Sequence, residues 1–197
     1  MGDLDDPAIR AMLHTVLRAS GYVPRDEIPV SIAVVDVLAV DTEHGRFHGF
    51  EIKSDRDSVV RLPTQVQGYG AVLDACTLVV GQRHEAKAAA LIPPWWGLWR
   101  ATESELVRVR PAEDNPEPGE RRLHLLGAIL WNIELAAMCE HHGCARGVRG
   151  RSCIAMVKRL RWSIGDDAFR REAATVLRAR KVGPDAFKET MRETRRA

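Results

Sequence analysis

Residues 31–40 read SIAVVDVLAV, and residues 48–58 read HGFEIKSDRDS. A Val- and Ile-rich run bounded by turn residues is a buried strand. Asp41-Thr42-Glu43-His44-Gly45 is turn chemistry, with Gly45 free to take positive φ. Phe47 to Ile52 is then a second strand, and the two form a hairpin. Inside the first run sits one carboxylate, Asp36; at the end of the second, Glu51 and Lys53 flank Ile52. Strand residues i and i+2 share a face, so Glu51 and Lys53 point one way and Ile52 the other. With Asp36 turned the same way, two carboxylates and an ammonium converge. Charge within apolar stretches is expensive unless it is paired or used. Two acids suit Mg²⁺, a hard cation that prefers oxygen. The lysine can stabilise charge on a phosphate or orient a water. A plainer reading is also open: Asp36 as a strand-end cap, and Glu51 and Lys53 as an edge-strand ion pair.

The next segment, Gln65-Val66-Gln67-Gly68-Tyr69, follows Pro63, which fits a first helical turn. Gln65 and Tyr69 are four apart and lie on one helix face. Asp36…Glu51-Ile52-Lys53 followed by Gln65-x-x-x-Tyr69 resembles the active-site signature of the PD-(D/E)XK nuclease superfamily, in its RecB-like branch. The wider string GFEIKSDRDSVVRLPTQVQGYGAVLDACTLVVG resembles a small bacterial group within it. The likeness is carried by residues 25 to 100. The superfamily's proline before the first acid is replaced here by Val35.

The resemblance implies an α/β fold with a restriction-endonuclease-like core, a mixed central β-sheet flanked by helices. It implies a metal-dependent nuclease acting on DNA rather than RNA, in DNA repair or anti-phage defence. Mg²⁺ would be the cofactor, with Mn²⁺ able to substitute. Asp36, Glu51 and the Ile52 backbone carbonyl would hold the metal. Lys53 would act on the developing charge, Gln65 would position Lys53 or the water, and Tyr69 would support Gln65. Members often carry a further acid, and Glu27 is the candidate. The alternative is a catalytically inactive nucleic-acid-binding or partner-dependent module that keeps the fold, working with a separate protein partner.

The 197 residues suffice for one full domain and a small appendage. The longest apolar runs are broken by charges, so no membrane span is expected. The acidic start (Asp3, Asp5, Asp6) is unlike a signal peptide, and the expected location is cytoplasmic. Charge is uneven: Arg146 to Ala197 holds 15 Lys/Arg and 6 Asp/Glu, a net +9, against −7 for residues 1–145. A basic segment on an acidic body suits a polyanion, or equally a solvated helix face. Arg61, Arg146, Arg149, Arg151, Lys158, Arg159 and Arg161 are the nucleic-acid-binding candidates.

In chain order, Asp6-Pro7 opens a helix through Ala19 that Gly21 ends, with His14 on it. A short strand near Glu27–Val30 precedes the hairpin. Asp55 and Asp57 are expected to cap the helix that holds Gln65. Thr77–Gly81 is an apolar central strand followed by His84, an auxiliary candidate. Trp95, Trp96 and Trp99 read either as core closure or as a base-stacking platform. Leu106–Val109 makes an edge strand with Arg108 and Arg110 facing out. Residues 115–120, rich in Pro, read as a linker between a core of 1–114 and a helical region of 121–197. That region opens with one long helix, Leu123 to Glu140. Gly143–Arg151 is a glycine- and arginine-rich loop, Ser152 caps the next helix, and Asp166-Asp167 starts another. A last basic helix begins near Gly183. The cysteines and histidines of Cys139–Cys144 and Cys153 have zinc-type chemistry but no zinc-module spacing.

Overall fold

The computed structural model describes residues 4–117, 119–147 and 150–180, with the side chains of 119–122 left aside. Asp5, one residue before the expected cap, accepts the Ala8 N–H at 3.1 Å and starts helix α1 (Asp6–Ala19), with a proline in its first turn. Its apolar stripe, Ile9, Leu13 and Leu17, is buried. Strands β1 (Arg25–Val30), β2 (Ala33–Asp41) and β3 (Arg46–Lys53) follow as an antiparallel meander. Helix α2 (Leu62–Gly70) then crosses over to β4 (Ala75–Gly81), parallel to β3. A short turn and α3 (Glu85–Ala89) lead to β5 (Gly97–Ala101), parallel to β4, and β6 (Leu106–Arg110) closes the edge antiparallel. The fold is thus α/β, with one six-stranded mixed sheet in the order β1-β2-β3-β4-β5-β6.

Two cores cover the two faces. Helix α1 packs with Val37, Ala39, Phe50, Ile52, Val79 and Trp99. The other face carries α2, α3 and the helical C-terminal part in one continuous cluster, from Val35, Phe47 and Leu78 to Leu126, Leu160 and Leu177. That part consists of α4 (Gly119–Leu126), α5 (Asn132–His141), α6 (Cys153–Ile164) and α7 (Asp166–Ala179). Among the described residues no single helix is long and apolar enough to cross a membrane.

Several expectations change. The long helix expected over Leu123–Glu140 is two, bent by 112°. The break is held chemically: Leu130 is extended, Glu134 accepts the Trp131 N–H at 2.7 Å, and Arg180 donates to the Ile129 carbonyl at 3.1 Å. Residues 115–120 are no free tether at their start. Asn115 is buried, and its amide donates to the Gly70 and Leu73 carbonyls at 2.7 and 2.8 Å. Asp55 and Asp57 do not cap α2. Asp57 accepts from the Ser54 N–H and hydroxyl, and Asp55 accepts the Arg83 N–H. Arg108 is exposed, as expected, with its guanidinium 4.9 Å over the Trp99 ring, but Arg110 turns back and donates to the Trp96 carbonyl at 2.8 Å. Trp96 and Trp99 are core residues, and Trp96 stacks on Tyr69 at 5.6 Å. Ser152 does cap α6, as expected. Residues from Lys181 onward, including the helix expected near Gly183, lie outside the described residues, as does Arg149.

Candidate active site

The β2–β3 ladder runs from Asp41 opposite Arg46 to Val37 opposite Phe50, and the pairing stops there. Beyond that point Asp36 replaces a ladder bond with its side chain: its Oδ2 accepts the Ile52 N–H at 2.8 Å. Its own N–H donates to the Tyr69 hydroxyl at 3.2 Å, and its carbonyl accepts from Arg10 Nη1 at 2.6 Å. Val35 packs in one core and Val37 in the other, so strand alternation breaks at Asp36. The register with β1 has the matching gap: Asp26 pairs with Val37 and Ile28 with Val35. Glu27 falls in that gap at φ 54°. One residue is skipped on each strand, so the register is kept and the break is a local distortion that re-aims the Asp36 side chain.

Glu51 and Lys53 share the face that strand alternation predicts, both buried, at 0% and 4% exposure. Helix α2 lies over them. Gly68 allows the approach, since a Cβ there would meet the Ala33 Cβ at 2.7 Å. Gln65 and Tyr69, one helical turn apart, both point at Glu51. Its Oε1 accepts from Lys53 Nζ and Gln65 Nε2, and its Oε2 from the Tyr69 hydroxyl. The five residues Asp36, Glu51, Lys53, Gln65 and Tyr69 therefore form one hydrogen-bonded cluster. In this arrangement Gln65 engages Glu51, and Tyr69 braces Glu51 and Asp36. The reason is reach, because both α2 side chains meet β3 at the same carboxylate.

Burial dominates the electrostatics. It pushes the Glu51 carboxyl up to about 7, with the charge of Asp36 adding to the rise and Lys53 opposing it. Burial also raises Asp36, against the pull of the Ile52 N–H and the Lys53 ammonium. The Tyr69 hydroxyl is pushed further up, by burial and by both carboxylates. A cation would reverse these shifts by favouring ionised acids. The donor set fits a hard divalent ion. Two carboxylates stand together, and Gln65 Oε1 is buried with no hydrogen-bond partner. The fit is to an ion that keeps several waters, since no group of three or more His, Cys, Asp or Glu that could hold a metal occurs among the described residues. Glu27 is exposed and does not complete such a group.

The other candidates are dispersed. His14 bonds Asp26 at 2.8 Å, and Asp26 also receives Arg10 at 3.2 Å, so this trio braces the Asp36 backbone. Arg10 is the residue that sequence reasoning missed. Its signal was a cation on the polar side of an amphipathic helix, with nothing to show which strand it meets. Arg61 is exposed immediately before α2, close to the cluster in sequence. His84 follows β4, and its Nε2 is buried without a partner. Arg151 and Arg159 donate to loop carbonyls, those of Gly147 and Cys144, and Arg161 pairs with Asp166 at 2.7 Å. Arg146 and Lys158 lie in the same exposed region, before and on α6. Helix α7, beside α6, is anchored at the hairpin end of the sheet, where Arg170 reaches Asp74. The five-residue cluster lies at the far end of β3. These cations are therefore not gathered around the cluster. Cys139 is buried, Cys144 and Cys153 half-buried, and His142 pairs with Glu172.

Comparison with known proteins adds three findings. No match is found among curated proteins. A solved structure of a protein of unknown function from Silicibacter pomeroyi is similar at 22% identity and a TM-score of 0.48, over 77% of this chain and 98% of that one. The model of the family described as bacteriophage P4 protein cII matches residues 22–196, and the chain belongs to that family.

Proposed function

We propose that the chain is a metal-dependent nuclease that hydrolyses phosphodiester bonds in DNA. The observation that carries this reading is the hydrogen-bonded convergence of Asp36, Glu51, Lys53, Gln65 and Tyr69 at the point where β2 leaves its ladder. The mixed α/β sheet, an antiparallel meander followed by parallel crossovers, supports the reading at the level of fold class. The family takes its name from a bacteriophage protein, which supports a phage-linked setting.

Asp36, Glu51 and the Ile52 carbonyl would hold Mg²⁺ or Mn²⁺, joined by Gln65 Oε1. The ion, when bound, supplies Lewis acidity, offsets phosphate charge and lowers the pKa of a bound water. Lys53, which donates to Glu51 in the structure, would place its ammonium on the scissile phosphate and stabilise the charge that develops there. Tyr69 and Arg10 hold the Asp36 backbone at this break in the ladder. Cleavage of linear, circular, single-stranded and flap DNA, and of RNA, in Mg²⁺ or Mn²⁺ tests the reading. Asp36→Ala and Lys53→Ala are each expected to lose at least about 100-fold in rate while staying folded, the scale seen when an electrostatic stabiliser is removed. Parent-like cutting by both variants would sink the assignment.

One observation favours a second reading, a module that stays silent until a partner opens it. Glu51 is fully buried and its oxygens are already engaged by Lys53, Gln65 and Tyr69. The isolated chain would then cut nothing in either metal, and activity would appear only with a second protein.

A further inference from the structure

Helix α6 carries a face that the core does not use. Its inner side, Met156, Val157 and Leu160, is buried in the main cluster. On its outer side Ile154, Lys158 and Trp162 follow at four-residue spacing as one stripe, and Arg151 stands just ahead of the N-cap Ser152. All four are exposed, Ile154 at 55% and Trp162 at 93%. A tryptophan is highly buried on average, and this ring stands almost wholly in water. The helix itself is basic, and the acids begin just past its end, where Asp166 pairs with Arg161. From His141 to Gly165 there is no Asp or Glu, and there are six Lys or Arg. Beside the stripe lies a cavity of about 250 Å³ lined by Gly147, Arg151, Ala155, Met156 and Arg159. Arg151 Nε donates to the Gly147 carbonyl at 3.1 Å and Arg159 Nη1 to the Cys144 carbonyl at 3.3 Å. Carbonyls orient a guanidinium without neutralising it, so the cavity is lined by oriented positive charge.

We propose that this face binds single-stranded nucleic acid. Trp162 stacks on an unpaired base, while Arg151, Lys158 and Arg159 contact phosphates. Charge alone would hold duplex and single strand alike. The protruding ring decides between them, because only an unpaired base offers its face for stacking. An anionic membrane surface would also attract the cations, but one ring and one isoleucine make too narrow an apolar face to lie in a bilayer interface. The inference rests on the nucleic-acid reading above and adds strand type and anchoring residues to it.

Fluorescence anisotropy of the full chain in EDTA, with a labelled single-stranded oligodeoxynucleotide and its duplex, tests it at two salt concentrations. Trp162→Ala should weaken single-strand binding about tenfold, on the scale of one lost stacking contact, and duplex binding less than about twofold. Trp162→Phe should restore most of the loss. Lys158→Glu should weaken both ligands and flatten the salt dependence. Unchanged single-strand binding by Trp162→Ala overturns the inference, as does a parent that binds neither DNA. Anionic phosphatidylglycerol vesicles that bind the parent, and lose it with Trp162→Ala while DNA binding is unchanged, overturn it in favour of a membrane. Lys53→Ala separates the two readings. If Trp162→Ala loses binding but the parent cuts nothing, this inference stands and the nuclease reading falls. If the parent cuts in a Lys53-dependent way and Trp162→Ala binds normally, the reverse holds.

Discussion

The Tyr69 hydroxyl has one proton and two oxygens competing for it, the Val34 carbonyl at 2.9 Å and Glu51 Oε2, while it also accepts the Asp36 N–H. One proton serves one acceptor. The conflict disappears when Glu51 is protonated and donates to Tyr69, leaving Tyr69 to donate to Val34. That agrees with burial pushing Glu51 up to about 7. The consequence for activity has a definite sign. Below about pH 7 Glu51 carries a proton and cannot ligate a cation; above it the carboxylate is available. Cleavage should therefore rise with pH through an apparent pKa near 7, and raising Mg²⁺ should move that pKa down, because metal and proton compete for one carboxylate. A rate profile flat across this range at low Mg²⁺ would remove Glu51 from the metal site. Tyr69→Phe tests the same residue without chemistry. It leaves the Asp36 N–H and the Val34 carbonyl short of a partner, and chemical denaturation should show a loss of about 1–3 kcal/mol.

At the scale of elements, the site was legible because it obeys two simple periods. Alternation placed Glu51 and Lys53 together on β3, and the four-residue turn placed Gln65 and Tyr69 together on α2. The break at Asp36 was not legible: nothing in SIAVVDVLAV says where alternation breaks, because it breaks through contacts with Tyr69 and Arg10, distant in sequence. The break between α4 and α5 was hidden for a related reason. Leu123–Glu140 is apolar enough to read as one helix, and the bend is held by Arg180, beyond it in sequence. The hairpin turn shows a constraint that was half visible. Gly45 was recognised as a positive-φ position, and it is, at φ 63°. Its second role is contact with α7, since a Cβ there would stand 2.7 Å from the Arg171 N and 2.8 Å from the Arg170 carbonyl carbon. Gly45→Ala thus combines left-handed backbone strain with a clash against main chain, and should cost about 2–4 kcal/mol. Urea denaturation would measure it, and a loss under about 1 kcal/mol would mean that α7 shifts easily against the hairpin.

At the scale of the whole molecule, the charge map suggested an acidic body with a basic appendage, yet the contacts cross that boundary repeatedly. Arg170 reaches Asp74, which also accepts the Phe47 N–H at 2.9 Å. Arg25, at the start of β1, donates to the Leu177 carbonyl at 3.1 Å, and Arg178 to Thr42 at 3.2 Å. Asn115 stitches the start of the Pro-rich segment to the end of α2, and one apolar cluster runs from β2 to α7. Neither part could shed the other without exposing that cluster to water, at about 25 cal/mol for each Å² of apolar surface. The chain should therefore unfold in one cooperative step. Tryptophan fluorescence of a variant with Trp131 and Trp162 replaced by Phe, which then reports the sheet side, and far-UV circular dichroism, weighted to the helical part, should give superimposable denaturant curves. Arg170→Ala should move both midpoints together. Two separated transitions, or a shift in the dichroism curve alone, would mean that the helical part is held as a unit of its own and that the basic face of α6 can move independently of the cluster at Glu51.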